Sequence, residues 1–192
     1  ESAAHHGAGQ GTTADGHHWI GARTPALIVV EFSDYLCPHC RRAHSMQRAL
    51  VSANPERLQL VHRHFPLDDA CNPLIETPFH PGACLLSRAA LCAGKQQRFW
   101  EMNDLLYSPG DLGGATWEEK VEVAAQRAGL NIRRFRECLA SPETQKELEQ
   151  DIAEALRLEL NGTPSFVVNG EIHLGMIPPK VFAEHGIVMP AR

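Results

Sequence analysis

At 192 residues and 43% hydrophobic, the chain can bury one sizeable core, with room for a subdomain. A net charge of −5 without a basic cluster argues against nucleic acid as a partner, and the apolar runs fall well short of the ~18 residues a membrane span needs. Six cysteines, four of them outside a single C-x-x-C, suit an oxidising compartment, and a first residue of Glu1 leaves room for a removed targeting segment or membrane anchor.

In chain order, residues 1–24 read as a flexible N-terminal segment, Gly/Ala/Thr/His-rich and without periodicity. His5-His6 and His17-His18 within it read as solvated rather than metal-binding. Ala26-Leu27-Ile28-Val29-Val30-Glu31-Phe32 is apolar and β-branched, a buried central strand. Glu31, a carboxylate inside that strand, is expected to be buried with a raised pKa, the alternative being an outward position on an edge. Asp34 reads as a turn or cap residue nearer the surface. Next comes Cys37-Pro38-His39-Cys40, and then Arg41 to Ala53, a helix with apolar spacing at Ala43, Met46, Leu50 and Val51.

That order puts Cys37 at a helix N-cap and Pro38 at the first helical position, where its missing N–H costs nothing. Unpaired amides and the positive end of the helix dipole face the Cys37 sulfur and favour its thiolate. Cys40, one turn in, is the more buried sulfur, and the two are placed to close a redox disulfide. The competing reading is half of a zinc site, but Cys71, Cys84, Cys92 and Cys138, spaced 13, 8 and 46 apart, offer no second C-x-x-C. No metal and no cofactor are called for.

Leu58 to Phe65 alternates with period two, a second strand parallel to the first through a right-handed crossover, with His62 and His64 on a polar face. From Asp68 the pattern turns helical: Ala83–Ala93, Phe99–Tyr107, Trp117–Ala128, Ile132–Leu139 and Glu143–Leu160, punctuated by Gly and Pro. Ser141-Pro142-Glu143 is a good helix start. Thr163 to Val168, Asn169-Gly170 and Glu171 to Gly175 read as a β-hairpin, and Pro178-Pro179-Lys180 opens a last short helix.

A strand, a C-x-x-C at a helix start and a late Gly162-Thr163-Pro164 ahead of a hairpin together resemble the thioredoxin superfamily. The Cys-Pro-His-Cys choice and the helical insertion look like the DsbA family of thiol-disulfide oxidoreductases. His64-Phe65-Pro66-Leu67 and His80-Pro81-Gly82-Ala83-Cys84 look like the DsbA-type domains associated with VKOR-like membrane proteins. The resemblance implies an α/β thioredoxin-like fold over residues 25–67 and 143–192, with an inserted all-helical subdomain at 68–142. It also implies site roles. Cys37 is the exposed sulfur that a substrate thiolate attacks and that later leaves as thiolate, and Cys40 resolves. Glu31 is the buried acid that serves Cys40. Thr163 and a cis Pro164 bind an extended substrate strand. His39 donates a hydrogen bond to the thiolate through its ring or backbone, the bland alternative being exposed polar filler. The best-known DsbA oxidases carry Val where this chain has Thr163, and Thr occurs in isomerase-type and other DsbA-like members.

Cys71 and Cys84 suit a structural disulfide worth about 3 kcal/mol in the chain-entropy model. Cys92 and Cys138, each on a helix, suit another. The alternative for both pairs is buried free thiols. The expected activity is the introduction of disulfides into reduced, folding secreted proteins by a monomer. It would work in the periplasm or another extracytoplasmic compartment and be recharged by a membrane quinone reductase of DsbB or VKOR type. An isomerase or reductase on the same scaffold, and a metal-binding adaptor module, are the alternatives.

Overall fold

The structure is a computed structural model and describes residues 8–191. His5-His6, with the rest of the first seven residues, lie outside the described residues. Six strands form one sheet in the order β1-β2-β4-β3-β5-β6. The central pair is β3 (Leu27–Ser33) and β4 (Leu58–His64), parallel from Leu27↔Leu58 to Ser33↔His64. The crossover between them is α1 (Pro38–Ala53). The chain then runs through α2 (Ala83–Gly94), α3 (Phe99–Leu106), α4 (Trp117–Arg127), α5 (Ile132–Leu139) and α6 (Pro142–Arg157). It returns as β5 (Ser165–Val168) and β6 (Glu171–Leu174), antiparallel around Asn169-Gly170, and closes with α7 (Pro179–Glu184). This is a thioredoxin-like sheet with a helical insertion.

Alternation along β3 sends Val29, Glu31 and Ser33 to one face and Val30 and Phe32 to the other. On the first face Val29 packs with Leu60, Leu50, Val51, Cys40 and Phe166, in a core that continues into α2, α3 and α4. On the second, Phe32 and Phe65 meet Leu148, Ile152 and Ala155 of α6. The helix starts follow local chemistry. Thr116 and Glu119 form a reciprocal capping box on α4, and Ser141 accepts from Glu143 N ahead of Pro142 on α6.

The structure corrects the flexible N-terminal reading from residue 9 onward. β1 (Gly9–Thr12) and β2 (His18–Gly21) form a hairpin, and β2 pairs with β4, Ile20 opposite Leu60. The glycines that looked like flexibility are steric requirements. A Cβ on Gly21, at φ +118°, would lie 2.1 Å from Leu58 O, and one on Gly11 would lie 2.6 Å from the Trp19 ring. His17 and His18 are therefore not solvated. His17 sits between Asp15 and Asp151, and His18 stacks on Phe99.

Two further readings change. β4 is central and covered on both faces, so His62 and His64 are 3% and 1% exposed among Tyr35, Phe99 and Trp100 rather than on a polar face. On α1 the buried stripe is Cys40, His44, Gln47, Leu50 and Val51, while Met46 is 50% exposed. The four outer cysteines form two disulfides, Cys71–Cys84 and Cys92–Cys138.

Candidate active site

Cys37 is the N-cap of α1 with extended backbone (φ −80°, ψ 120°), and Pro38 follows within the first turn. No acidic residue occupies that first turn, so nothing there offsets the positive end of the helix. Cys37 and Cys40 are free thiols, the partners that the two structural disulfides leave over. Both are buried: Cys37 keeps 5% of its surface and Cys40 none, so the outer sulfur is recessed rather than exposed.

The two sulfurs have opposite acidities. The Cys40 thiol donates toward Cys37, and this is the largest influence lowering the Cys37 pKa from 9.0 to about 5, against the opposing effect of burial. Thr163 and the backbone amides of Cys40 and His39 add to it. When protonated, Cys37 Sγ donates to Thr163 O at 3.6 Å. Cys40 is pushed far above the ordinary thiol range, first by burial and then by the proton it shares with Cys37.

His39 is exposed, and its Nδ1 accepts from Arg42 Nη2 at 2.6 Å, so its backbone rather than its ring serves the thiolate. Glu31 is fully buried on the β3 face that α1 covers, and burial raises its pKa to about 8. The Thr163–Pro164 peptide is cis, and Pro164 O accepts from Gly175 N at 2.8 Å. The Thr163 hydroxyl is buried near both sulfurs and lowers the pKa of each, yet makes no hydrogen bond of ordinary geometry among the described residues.

Asp34 lies deeper than its sequence setting suggests. It is 0% exposed and ties three segments together. Its Oδ1 accepts from Leu36 N at 2.6 Å, closing the turn into α1. Its Oδ2 accepts from Leu67 N at 2.7 Å and from His80 Nδ1 at 2.8 Å. Its backbone serves both cysteines: the carbonyl accepts from Cys37 N at 3.2 Å and the amide is directed at Cys40 Sγ. His80, raised in pKa by its hydrogen bond to Asp34, has no local pattern that marks it as a site residue beyond its setting in His80-Pro81-Gly82 ahead of Cys84.

Beside the cysteines, His39, Met46, Phe166, Met176, Ile177 and Phe182 line a cavity of about 240 Å³. Among the described residues no three His, Cys, Asp or Glu side chains are grouped to hold a metal ion. The arrangement can do one kind of chemistry well: a thiolate and a thiol one helical turn apart can exchange with an external disulfide or, once bonded together, with external thiols.

The profile of the DSBA-like thioredoxin domain matches residues 28–185. A thioredoxin-like oxidoreductase from Silicibacter pomeroyi DSS-3 superposes with a TM-score of 0.69 at 30% identity, covering 88% of this chain and 90% of its own. Oxidised BdbD from Bacillus subtilis shares the fold at 17% identity, with a TM-score of 0.68 and coverage of 93% and 94%. The Na(+)/H(+) antiporter NhaA 1 of Salinispora arenicola is 35% identical over 167 residues, which is 84% of this chain and 23% of that protein. The chain thus spans about a quarter of the length of the curated relatives it matches.

Proposed function

The chain belongs to the DSBA-like thioredoxin domain family, and from that premise we propose that it is a thiol-disulfide oxidoreductase that donates the Cys37–Cys40 disulfide to reduced proteins. The observation that carries this is the placement of the two free cysteines, Cys37 at the N-cap of α1 against Thr163 O and Cys40 one turn in and fully buried, which lowers the Cys37 pKa and raises that of Cys40.

In the oxidised protein a substrate thiolate attacks Cys37 Sγ. A substrate–Cys37 disulfide forms, the Cys37–Cys40 bond breaks, and Cys40 leaves as thiolate and takes up a proton. A second substrate thiolate then attacks its neighbouring sulfur and expels Cys37. Two electrons pass to the protein and one disulfide to the substrate. Cys37 leaves readily because its anion is stabilised, and the same stabilisation makes the reduced protein the favoured product. Thr163 and Pro164 offer the backbone on which an extended substrate strand pairs, and the cavity lined by Met46, Phe166 and Met176 accepts an apolar side chain of that strand.

Two structural disulfides suit an extracytoplasmic compartment such as the periplasm. There a membrane quinone reductase of DsbB or VKOR type would restore the Cys37–Cys40 bond. Among the described residues no helix is long and apolar enough to cross a membrane. What the Salinispora arenicola antiporter shares with this chain is a stretch of 167 residues, about a quarter of that protein, and antiport is named of that protein.

The test is oxidation of a reduced, disulfide-dependent model protein against reshuffling of a scrambled one. Stoichiometric transfer of one disulfide per Cys37–Cys40 pair with little reshuffling supports a donor. Reshuffling by the reduced form without net transfer makes it an isomerase instead.

A further inference from the structure

The loop between β4 and α2 holds one titratable side chain that the exchange steps leave unused. The Cys71–Cys84 disulfide closes this loop, and Asp68 Oδ2 accepts from Gly82 N at 3.1 Å and from Cys84 N at 3.0 Å. Gly82, at φ +101°, makes the turn into α2, and a Cβ there would lie 2.5 Å from the Trp117 ring. Within that frame His80 is fixed through its backbone and its ring. Its N–H donates to Leu67 O at 3.0 Å, its carbonyl accepts from Ala83 N at 3.1 Å, and its ring stacks on Phe79 with centroids 4.3 Å apart. The loop thereby presents His80 Nδ1, which donates to Asp34 Oδ2 at 2.8 Å.

That bond matters because of where Asp34 sits. Asp34 is fully buried and accepts at both oxygens, from Leu36 N, Leu67 N and His80 Nδ1, so it acts as a carboxylate. Its carbonyl accepts from Cys37 N, so the residue that shapes the turn into α1 carries an anion close to Cys37. A second anion on Cys37 Sγ would be repelled by the first across a dry interior, where charges interact more strongly than in water. A cation on Asp34 removes the conflict. His39 does not supply it, since its ring Nδ1 is turned to Arg42. Among the described residues His80 is the one cationic side chain paired with Asp34. Its bond to Asp34 is the largest influence raising the His80 pKa above 6.5; burial opposes it, and Cys37 from α1 and Asp68 from the same loop add to it. The His80 side chain keeps 16% of its surface open, so the ring can exchange its proton with water.

We propose that His80 is a positioning residue for Cys37: its imidazolium neutralises the carboxylate that shapes the active-site turn, and so lets that turn hold the Cys37 sulfur as an anion. This rests on the reading of Cys37–Cys40 as a redox pair. The effect acts through Asp34 and ranks below the hydrogen bond from Cys40 that leads the lowering of the Cys37 pKa. It is also reciprocal, since a thiolate at Cys37 holds the proton on His80 as firmly as His80 holds the thiolate. The oxidised protein has no thiolate, so its His80 gives up the proton at lower pH. Reduction of Cys37–Cys40 therefore draws part of a proton from solvent onto His80 at pH values between the two midpoints. Cys37 ionises near 5 and His80 deprotonates above 6.5, so imidazolium and thiolate coexist between those values. The support for Cys37 disappears as pH rises through the His80 midpoint.

The first arm of the test uses the unaltered protein. The ring ¹⁵N shifts of His80 are followed against pH in the oxidised form and in the form reduced at Cys37–Cys40 alone. The His80 midpoint should lie about half a pH unit or more higher in the reduced form. Equal midpoints overturn the proposal. The second arm reads thiolate absorbance in His80→Asn, which keeps an N–H in the place of Nδ1 but no charge, and in His80→Phe, which keeps only a ring. In both variants the Cys37 midpoint should rise by the amount found in the first arm. A rise in His80→Phe alone would make the hydrogen bond, not the charge, the cause, and no rise in either would make His80 a packing residue. Both results overturn the proposal, while a Cys37 midpoint near 5 in the unaltered protein keeps the redox reading. A midpoint near the ~8.5 of an ordinary thiol before any substitution would instead remove the redox reading, and this proposal with it.

Discussion

Lowering the Cys37 pKa stabilises the reduced protein by an amount that depends on pH. The midpoint falls from 9.0 to about 5. At about pH 7 the folded thiol is ionised and the unfolded one is not, so about two pH units of stabilisation are realised, or about 3 kcal/mol. On a two-electron couple this is about 60 mV in the oxidising direction. For an acid with a depressed pKa the contribution is complete above the unfolded midpoint near 9 and disappears as the pH falls through about 5. Cys40 stays protonated in both states through this range and adds nothing. The assay is urea unfolding of the reduced and oxidised protein, followed by far-UV circular dichroism, between about pH 7 and pH 4. The oxidised form is the internal reference, since it has the same carboxylates and histidines but no free thiol. Reduced-minus-oxidised stability should fall by about 3 kcal/mol over that interval. A difference that stays flat means that Cys37 is not stabilised as an anion.

Cys40→Ala removes the largest influence on the Cys37 thiolate, so its ionisation midpoint should rise by about one pH unit or more, measured by thiolate absorbance, and mixed disulfides should accumulate on Cys37. Replacing Cys71 and Cys84 by Ser opens a loop of separation 13 and should cost about 3 kcal/mol in denaturant midpoint terms, whereas replacing Cys92 and Cys138, separated by 46, should cost about 4 kcal/mol. The His17 pKa is raised first by its bond to Asp151, so it should hold the β1–β2 hairpin fully below 6.5 and release it as pH rises through the higher folded midpoint. Amide exchange in the hairpin reads this out, and His17→Gln should abolish the pH dependence.

The parts legible in the sequence are those where a local pattern and the tertiary outcome have the same cause. The apolar run through Val29, the proline after Cys37, the Asn169-Gly170 turn and the Ser141-Pro142 start each act within a few residues, and each element forms where those residues sit. What was not legible depends on partners distant in the chain. Gly11 and Gly21 look like flexibility until Trp19 and Leu58 are placed against them. The alternation in β4 suggests one wet face, but Gln59 finds Ala22 O and Arg63 finds Asp151, so the strand can be covered on both sides. Asp34 looked superficial because its partners Leu67 and His80 lie 33 and 46 residues away.

One titration bears most directly on the chemistry proposed for this fold: the absorbance of the Cys37 thiolate in the reduced protein, followed from acid to alkaline pH. A midpoint near 5 is expected, with Cys40 silent across the range. A midpoint near the ~8.5 of an ordinary free thiol would contradict the assignment of Cys37–Cys40 as a disulfide donor.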